Sequence, residues 1–512
     1  MTPRLLGAIY TQASYETFQW ASLPIDALFA KETNMTMHRT SRRLPVLLAT
    51  TVLLTTVVGG GALAVSAATP ATRSATPAHS AVVLNYWDMQ WGGPKFTNQT
   101  KANVAAFNRT HPGIHVKYQQ LSWGDYTQKL LSAVQAGSPP DVGGGDSGIP
   151  FTMNAQGQTL FIDDLYKQWQ SDGTFKDIVP WAYKKWEYNG HDLGITWQFD
   201  QRAIFYRKDM FRKAGVKIPT TWQELLAAAR KLNNPKAGII GIAVPGKQGS
   251  YDTDQFYMTL VFQAGGGIAD PKGNPTFNTP QQLRALEFEK ELVSCCAARG
   301  TAAWTMADTE KVFDQGKAAM AFGGGWFIGD LKTTATAKGP AATTARMVLQ
   351  NMGVLPVLIG PGGPKAQHCV SFANPWMIYK QTKHPTEAKI FLKWMMQKDN
   401  LRKLYESDPG NKWPVYKSLQ DDPVYQANPL TATLAKQVVQ HGIDYWYPNN
   451  EAAVGIASLG TSIADIIVNP VITGSRTPQQ ALKQVTGGNP EQPGLSAAAA
   501  NAGQLQGRHQ PD

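Results

Sequence analysis

Residues 82–140 read VVLNYWDMQWGGPKFTNQTKANVAAFNRTHPGIHVKYQQLSWGDYTQKLLSAVQAGSPP, and this stretch predicts the fold class. Short apolar runs alternate in it with longer amphipathic segments that end at Gly and Pro. The predicted elements are, in order, a strand at 82–86, a helix at 101–110, a strand at 114–119 and a helix at 126–136. Two successive βα units predict an α/β layered domain.

Three helices further along the chain carry clear N-terminal signals. Thr221 and Glu224 form a capping box that opens a helix. Thr279-Pro280 and Thr477-Pro478 each pair an N-cap threonine with proline at the first helical position. The α/β pattern therefore extends through most of the chain.

The composition is that of a globular protein with more than one domain. The chain has 512 residues, of which 43% are apolar and 10% aromatic, a length that predicts about two to four domains. Its 48 Lys and Arg exceed its 37 Asp and Glu by 11 charges. These basic residues are interleaved with acids throughout, so we expect no nucleic-acid partner.

The two ends of the chain are expected to lie outside the folded body. Residues 1–36 are an upstream extension that suggests a true start at Met35 or Met37, 37–67 are a secretory signal peptide and 68–81 a flexible tether. A retained membrane anchor is the alternative for the apolar part of the signal. Residues 489–512 form an Ala/Gln/Gly-rich tail, expected to be disordered. No cysteine stands near the mature N-terminus, so we expect no lipidation there.

Several motifs that carry catalytic or metal chemistry in other proteins are incomplete here. Gly145-Asp-Ser-Gly148 matches four residues of a serine-protease nucleophile loop, without a suitable histidine context. The dinucleotide spacing from Gly143 to Gly148 lacks a long following helix, because Pro150 interrupts it. Pro112-Gly113 separates His111 from His115, so the two cannot share a helix face. We therefore expect no catalytic residue, no metal and no cofactor.

The three cysteines leave two alternatives open. Cys295 and Cys296 are adjacent on a predicted helix, and Cys369 is distant in sequence. In an oxidising compartment one of the pair could form a disulfide with Cys369 and leave one free thiol. Buried, unpaired thiols are the other possibility.

Tryptophan provides the strongest chemical signal. Only Trp20 of the 15 tryptophans lies in the first 80 residues, and many of the others stand beside short polar residues at the ends of predicted elements. Sugar faces stack on such rings while nearby polar groups bind the hydroxyls. Core packing is the alternative role for any single tryptophan. Sugar binding is favoured because several of them stand at the ends of predicted elements.

From residue 82 onward the chain resembles the extracellular solute-binding proteins of family 1, the maltose-binding type of ABC sugar importers. The resemblance is collinear over about 400 residues. Its motifs include Leu84-Asn-Tyr-Trp-Asp88, Ala136-Gly-Ser-Pro-Pro-Asp-Val142, Ile204-Phe-Tyr-Arg-Lys-Asp-Met-Phe211, Phe313-Asp-Gln-Gly-Lys-Ala-Ala-Met320 and Glu387-Ala-Lys-Ile-Phe-Leu-Lys-Trp394.

The resemblance implies a type II periplasmic-binding-protein fold, with two α/β lobes joined by a hinge of three chain crossings and a ligand cleft between the lobes. Carried over, the crossings lie near 198–202, 318–322 and 370–374. Lobe one is then expected at 82–197 and 323–369, and lobe two at 203–317 and 375–488.

The resemblance also implies that strand-end residues of both lobes face the cleft. Aromatic rings would stack on pyranose faces, while acids and serine would bind hydroxyls. The candidate ligand-binding residues are Trp87, Asp88, Asp146, Ser147, Trp197, Asp200, Trp326, Trp376, Trp413 and Tyr447. Helix N-capping is the alternative role for Asp88 and Asp146.

The expected function is that of an exported substrate-binding protein of an ABC importer, monomeric and not an enzyme. It would act at the extracellular face of the membrane or in the periplasm, capture a di- or oligosaccharide and deliver it to the membrane permease. The alternatives are binding of a non-sugar solute, such as a glycerophosphodiester or a polyamine, and a secreted glycoside hydrolase with a carboxylate pair.

Overall fold

The computed structural model describes residues 81–122, 126–248, 250–269, 276–445 and 464–487. The expected signal peptide, nearly all of the tether and the C-terminal tail lie outside these residues, and so does Tyr447. In the part of the chain that is described, no helix is both long enough and apolar enough to cross a membrane.

The strands are numbered in chain order. They are β1 (Val82–Met89), β2 (Ile114–Leu121), β3 (Val142–Gly144), β4 (Thr159–Leu160), β5 (Glu187–Tyr188), β6 (His191–Asp192), β7 (Ile195–Arg207), β8 (Met320–Gly324), β9 (Met352–Val354), β10 (Cys369–Tyr379), β11 (Trp413–Pro414) and β12 (Gly442–Asp444).

The helices are numbered in the same way. They are α1 (Pro94–Thr110), α2 (Tyr126–Gln135), α3 (Ile149–Ala155), α4 (Asp163–Ser171), α5 (Thr174–Asp177), α6 (Pro180–Lys184), α7 (Lys208–Ala214), α8 (Trp222–Leu232), α9 (Tyr251–Gln263), α10 (Pro280–Cys296), α11 (Met306–Asp314), α12 (Trp326–Ala335), α13 (Pro340–Asn351), α14 (Pro385–Met395), α15 (Lys398–Ser407), α16 (Pro423–Gln426), α17 (Pro429–His441), α18 (Asn469–Ile472) and α19 (Pro478–Gly487).

The predicted βα units are confirmed with small shifts in their ends. β1 runs parallel to β2 and to β3, and its residues Leu84 and Tyr86 are buried. Helix α1 begins at Pro94, seven residues before its predicted start, because proline is well suited to the first helical turn. The caps at Thr221, Thr279 and Thr477 are also confirmed, since each threonine Oγ1 accepts a hydrogen bond from a backbone N–H of the first turn.

Strand β7 takes part in two sheets. Its first half, from Ile195 to Gln201, pairs antiparallel with β10. Its second half, from Arg202 onward, pairs with β8 and β9. The order of the larger sheet is β11-β7-β10-β3-β1-β2, so β7 connects the two α/β lobes.

The strand pairing contradicts part of the expected lobe division. Strand β8 extends the second sheet beyond Arg202 instead of crossing the hinge, which places 323–369 largely with lobe two. Strand β10 pairs through Trp376–Ile378 with β3, and helices α14 and α15 pack on α1, so the chain after Asn374 first enters lobe one. The chain then returns towards lobe two through α17 and β12. Helices α18 and α19 pack against α10 of that lobe.

The cysteines follow neither alternative considered above. A disulfide joins the neighbours Cys295 and Cys296 at the end of α10. Cys369 is buried in β10, where its Sγ donates to the Arg202 carbonyl at 2.8 Å. It therefore lies at the hinge, on a different element from the other two.

Candidate functional site

The face of the hinge strands where the two lobes meet carries polar side chains. Across the antiparallel pair of β7 and β10, Gln198 lies opposite Asn374 and Asp200 opposite Phe372. Directly opposed residues share a face of a sheet, and Arg202 follows on the same face two residues after Asp200. We call these five residues the hinge floor.

Arg202 connects the hinge floor to the second lobe. Its guanidinium lies over the rings of Trp326 and Phe372, 4.6 and 4.8 Å from their centroids. Its Nη1 is 2.9 Å from the Asp200 carboxylate, and its Nε donates to Gln255. Arg202 is buried, so these cation–π and ionic contacts act with little solvent screening.

Three tryptophans of the first lobe pack beside the hinge floor and form the tryptophan cluster. Trp197 and Trp376 stack with ring centroids 4.9 Å apart, and Trp91 meets Trp197 edge-on at 5.5 Å. The pairing register shifts at Pro375, which has no N–H to donate to the ladder, and Trp197 is left as the extra residue of a β-bulge.

The Asp88 carboxylate holds the tryptophan cluster together. It accepts hydrogen bonds from Trp91 Nε1 at 2.6 Å, from Trp376 Nε1 at 3.0 Å, from the Met89 backbone and from the Tyr86 hydroxyl. Burial raises the pKa of Asp88 above its usual range, and the hydrogen bonds from these side chains act in the opposite direction. Helix α1 is capped at Gly93, so Asp88 is not its N-cap.

Lys412 is a buried cation beside the tryptophan cluster that sequence analysis missed. Its ammonium lies 5.8 Å from the ring centroids of Trp91 and Phe96 and donates to the Asn411 carbonyl at 3.4 Å. Burial lowers its pKa to about 8, while the charges of Asp200 and nearby acids oppose this shift. The only sequence signal is a lysine directly before the apolar strand that begins at Trp413.

Asp146 and Ser147 follow β3 at the sheet edge where β1 also ends. Asp146 accepts a hydrogen bond from the Gly148 backbone at 2.7 Å in the turn before α3, and because Gly148 is the N-cap of that helix, Asp146 does not cap it. Burial raises the pKa of Asp146, and the nearby Lys185 partly offsets this. Lys185 itself forms an ion pair with Asp444 at the end of β12.

Two other predicted residues point away from the hinge floor. Trp413 lies opposite Phe199, whose side chain is on the other face of β7, and packs on Tyr425 in the core. Trp87 is partly buried and alternates with Asp88 along β1, so it lies on the opposite face of that strand. The structure therefore gathers Trp197, Trp376 and Asp88 in one place, and Asp200 and Trp326 beside them.

No group of three His, Cys, Asp or Glu residues in the described ranges is placed to hold a metal ion. A cavity of about 580 Å³ in the second lobe lies between α11, α12 and α13, and its lining includes Glu310, Asp314 and Asp330. The cavity is formed mainly by helices of the second lobe, and none of its lining residues belongs to the hinge floor.

Comparison with known proteins places this geometry in a family context. The family model of the bacterial extracellular solute-binding proteins matches residues 93–401. Escherichia coli YcjN, which bears the provisional name of an ABC transporter periplasmic-binding protein, is 24% identical over 354 residues, covering 65% of this chain and 73% of its own. The multiple sugar-binding protein of Streptococcus mutans is 22% identical over 355 residues, covering 65% and 75% of the two chains.

Solved structures have the same two-lobed fold. A sugar transporter from Arthrobacter chlorophenolicus A6 with bound laminaribiose has a TM-score of 0.65 at 22% identity, covering 84% of this chain and all of its own. Maltose-bound MalE3 of T. maritima has a TM-score of 0.64 at 19% identity, covering 83% of this chain and 100% of its own. At these identities the likeness concerns the fold.

Proposed function

Because this chain belongs to the family of bacterial extracellular solute-binding proteins, we propose that it captures a di- or oligosaccharide between its lobes and delivers it to an ABC permease. The observation that carries the proposal is the combination of a polar hinge floor with aromatic walls from both lobes. Similar proteins described as sugar-binding, from Streptococcus mutans and Arthrobacter chlorophenolicus, support the class of ligand.

The exposure of the aromatic residues suggests which of them meet the sugar. Trp197 and Trp376 are fully buried and stack on each other, so they build the wall. Trp326 is partly exposed and can offer a ring face to a pyranose, whereas Trp87, also partly exposed, lies on the face of β1 opposite to Asp88. We therefore assign ring stacking first to Trp326, which already lies against the hinge floor.

The charges near the hinge floor favour a neutral ligand over a glycerophosphodiester or a polyamine. Asp200 is paired with Arg202, and Asp444 with Lys185. The buried Lys412 lies near the opposite charges of Asp200 and Asp408. A phosphodiester would need convergent cations that are not offset in this way, and a polyamine would need unpaired acids. Asp88 is also unsuited to bind a cation, because four donors of the protein already occupy its carboxylate.

The same contacts argue against glycoside hydrolysis. A hydrolase needs two carboxyl groups on either side of the scissile bond, about 5 to 10 Å apart and available as acid and base. Asp88, Asp200 and Asp408, three acids near the tryptophan cluster and the hinge floor, are engaged by protein donors or by Arg202. We propose that the protein binds its sugar without turnover.

The proposal includes location and partners. The protein would act as a monomer on the outer side of the cytoplasmic membrane, where the permease receives the closed form. Ligand contacts from both lobes exist together only when the lobes are closed, so binding would shift the equilibrium towards that form.

A thermal-shift screen of the full chain tests this function. Neutral saccharides, including maltose and laminaribiose, are compared with glycerophosphocholine and spermidine, and the sugars are analysed afterwards for hydrolysis. We expect a rise in Tm with at least one di- or oligosaccharide and no products. Stabilisation by the phosphodiester or the polyamine alone would contradict the proposal, and release of monosaccharides would favour the hydrolase.

A further inference from the structure

Two amide side chains in the hinge floor have buried polar atoms without a hydrogen-bond partner. Gln198 and Asn374 face each other across β7 and β10, and their exposed fractions are 0% and 3%. Gln198 Oε1, Gln198 Nε2 and Asn374 Nδ2 are buried and make no hydrogen bond. Buried amide groups are nearly always paired in folded proteins, and leaving one unpaired is destabilising.

The two amides lie on the hinge strands, at the junction of the two lobes. They share a face of the hinge strands with Asp200 and Arg202. The guanidinium of Arg202 lies over the ring of Trp326 in the second lobe. The indole Nε1 of the neighbouring Trp197 is also buried without a partner. Unpaired donors and an acceptor therefore lie on neighbouring residues of β7 and β10 at the junction of the lobes.

A buried amide without a hydrogen-bond partner does not by itself indicate a ligand-binding residue, because the amide of Gln201 in the same strand also has no partner. Gln201 lies on the opposite face of β7, across from Ser371 and close to Gly442 at the start of β12. That face is covered by α17, which packs on β7. The face of the strand therefore distinguishes Gln198 from Gln201, and Gln201 provides a matched control.

We propose that Gln198 and Asn374 are specificity-determining residues that hydrogen-bond neighbouring hydroxyl groups of the bound sugar. A sugar hydroxyl both donates and accepts, and an amide supplies a donor and an acceptor, so the pair can engage two adjacent hydroxyls at once. The inference rests on the proposed sugar-binding function and adds the groups that recognise the hydroxyls.

The proposal predicts opposite effects on stability and on affinity. Gln198→Met and Asn374→Leu replace each amide by an apolar side chain of similar size. The unliganded variants should have a Tm equal to or above that of the wild type, because a buried unpaired polar group is removed. Their affinity should fall about 10-fold or more, because hydroxyls that lose their partners are costly to bury.

The experiment measures Tm without sugar and Kd by calorimetry for the full-length wild type, Gln198→Met, Asn374→Leu and the control Gln201→Met. The probe is whichever of maltose, laminaribiose and the other panel sugars binds the wild type most tightly. Gln201→Met should match the Tm of the two test variants and keep the wild-type Kd. Near-ultraviolet circular dichroism confirms that each variant is folded.

Three results would overturn the proposal. Wild-type affinity in both test variants would show that the amides do not meet the sugar, while leaving the sugar-binding function intact. A lower Tm without a change in Kd would give the amides a purely structural role. If no saccharide binds the wild type, both the proposed function and this inference are wrong.

Discussion

Both oxygens of the Asp88 carboxylate, near the end of β1, accept hydrogen bonds from neighbouring protein groups. Its position beside Trp87, just after the strand predicted at 82–86, makes it a candidate ligand-binding residue. The structure turns its oxygens towards Trp91, Trp376 and Tyr86, so its role is to fix the tryptophan cluster. This could not be predicted, because Trp376 is 288 residues away in sequence.

Asp88→Leu should destabilise the protein strongly. It leaves two indole N–H groups and a phenol hydroxyl buried without an acceptor, and we expect a loss of about 3 to 5 kcal/mol in the free energy of unfolding. The midpoint of urea denaturation measures this. Asp164→Asn, at an exposed ion pair with Lys389, is the control and should change stability by less than about 0.5 kcal/mol. Equal midpoints for the two variants would contradict the anchoring role.

Glu289 is a buried acid whose removal should stabilise the protein. Its side chain on α10 is fully buried, and neither carboxyl oxygen has a hydrogen-bond partner among the described residues. Burial, and then the charge of Asp254, raise the pKa of Glu289 well above its usual range. The folded protein therefore favours the neutral acid.

This raised pKa sets the sign of a pH effect. Because the folded pKa exceeds the unfolded value of about 4.3, the contribution of Glu289 to stability is complete below that value and is lost as the pH rises. Glu289→Gln should remove this loss and be more stable than the wild type at pH 8, by about 1 to 3 kcal/mol. Thermal unfolding from pH 5 to 9 measures the difference. The control is Glu291→Gln on the same helix, at an exposed ion pair with Arg230. A Glu289→Gln variant that loses stability at pH 8 would refute the interpretation.

At the scale of elements, local signals were predictable and long-range pairing was not. The capping threonines at 221, 279 and 477 lie next to the residues they cap, so the sequence alone indicated those helices. The lobe assignment of β8 depends on its pairing with β7, more than a hundred residues earlier. A hydrophobic strand looks the same whichever sheet it joins, so the sequence places a crossing near 318–322, where β8 pairs instead with the second half of β7.

The contact between the start of α12 and the loop before β11 predicts an element-scale effect. Gly325 has a right-handed helical backbone that any residue can adopt, but an added Cβ would overlap the carbonyl oxygen of Gly410. This contact joins an element of the second lobe to the loop after α15 of the first. It holds the two elements closer than any side chain would permit.

Gly325→Ala should therefore lower the Tm, with a loss of about 1 to 3 kcal/mol because the contact is overpacked. Gly93→Ala is the matched control, since Gly93 also has an ordinary backbone conformation and an added Cβ there meets no atom within 4 Å. Scanning calorimetry compares the two variants. A Tm for Gly325→Ala as high as that of Gly93→Ala would mean that the two elements separate freely.

At the scale of the whole molecule, the fold was predictable from the order of its motifs, while the site was predictable only in part. Three of the candidate tryptophans lie near the hinge, Trp197 within β7, Trp376 within β10 and Trp326 at the start of α12. Another candidate, Trp413, packs in the core on the other face of β7. One face of a strand cannot be told from the other without its partners, so this distinction required the structure.

The central claim is that the two lobes bind a neutral sugar against Trp326 and the hinge floor. Isothermal titration of the full chain with the panel disaccharides, for the wild type, Trp326→Ala and the control Trp394→Phe in the first lobe, tests it most directly. We predict saturable one-to-one binding to the wild type and to Trp394→Phe, and an affinity about 10-fold or more weaker for Trp326→Ala because a stacking ring is lost. Unchanged affinity in Trp326→Ala, or binding of charged solutes but of no sugar, would contradict the account.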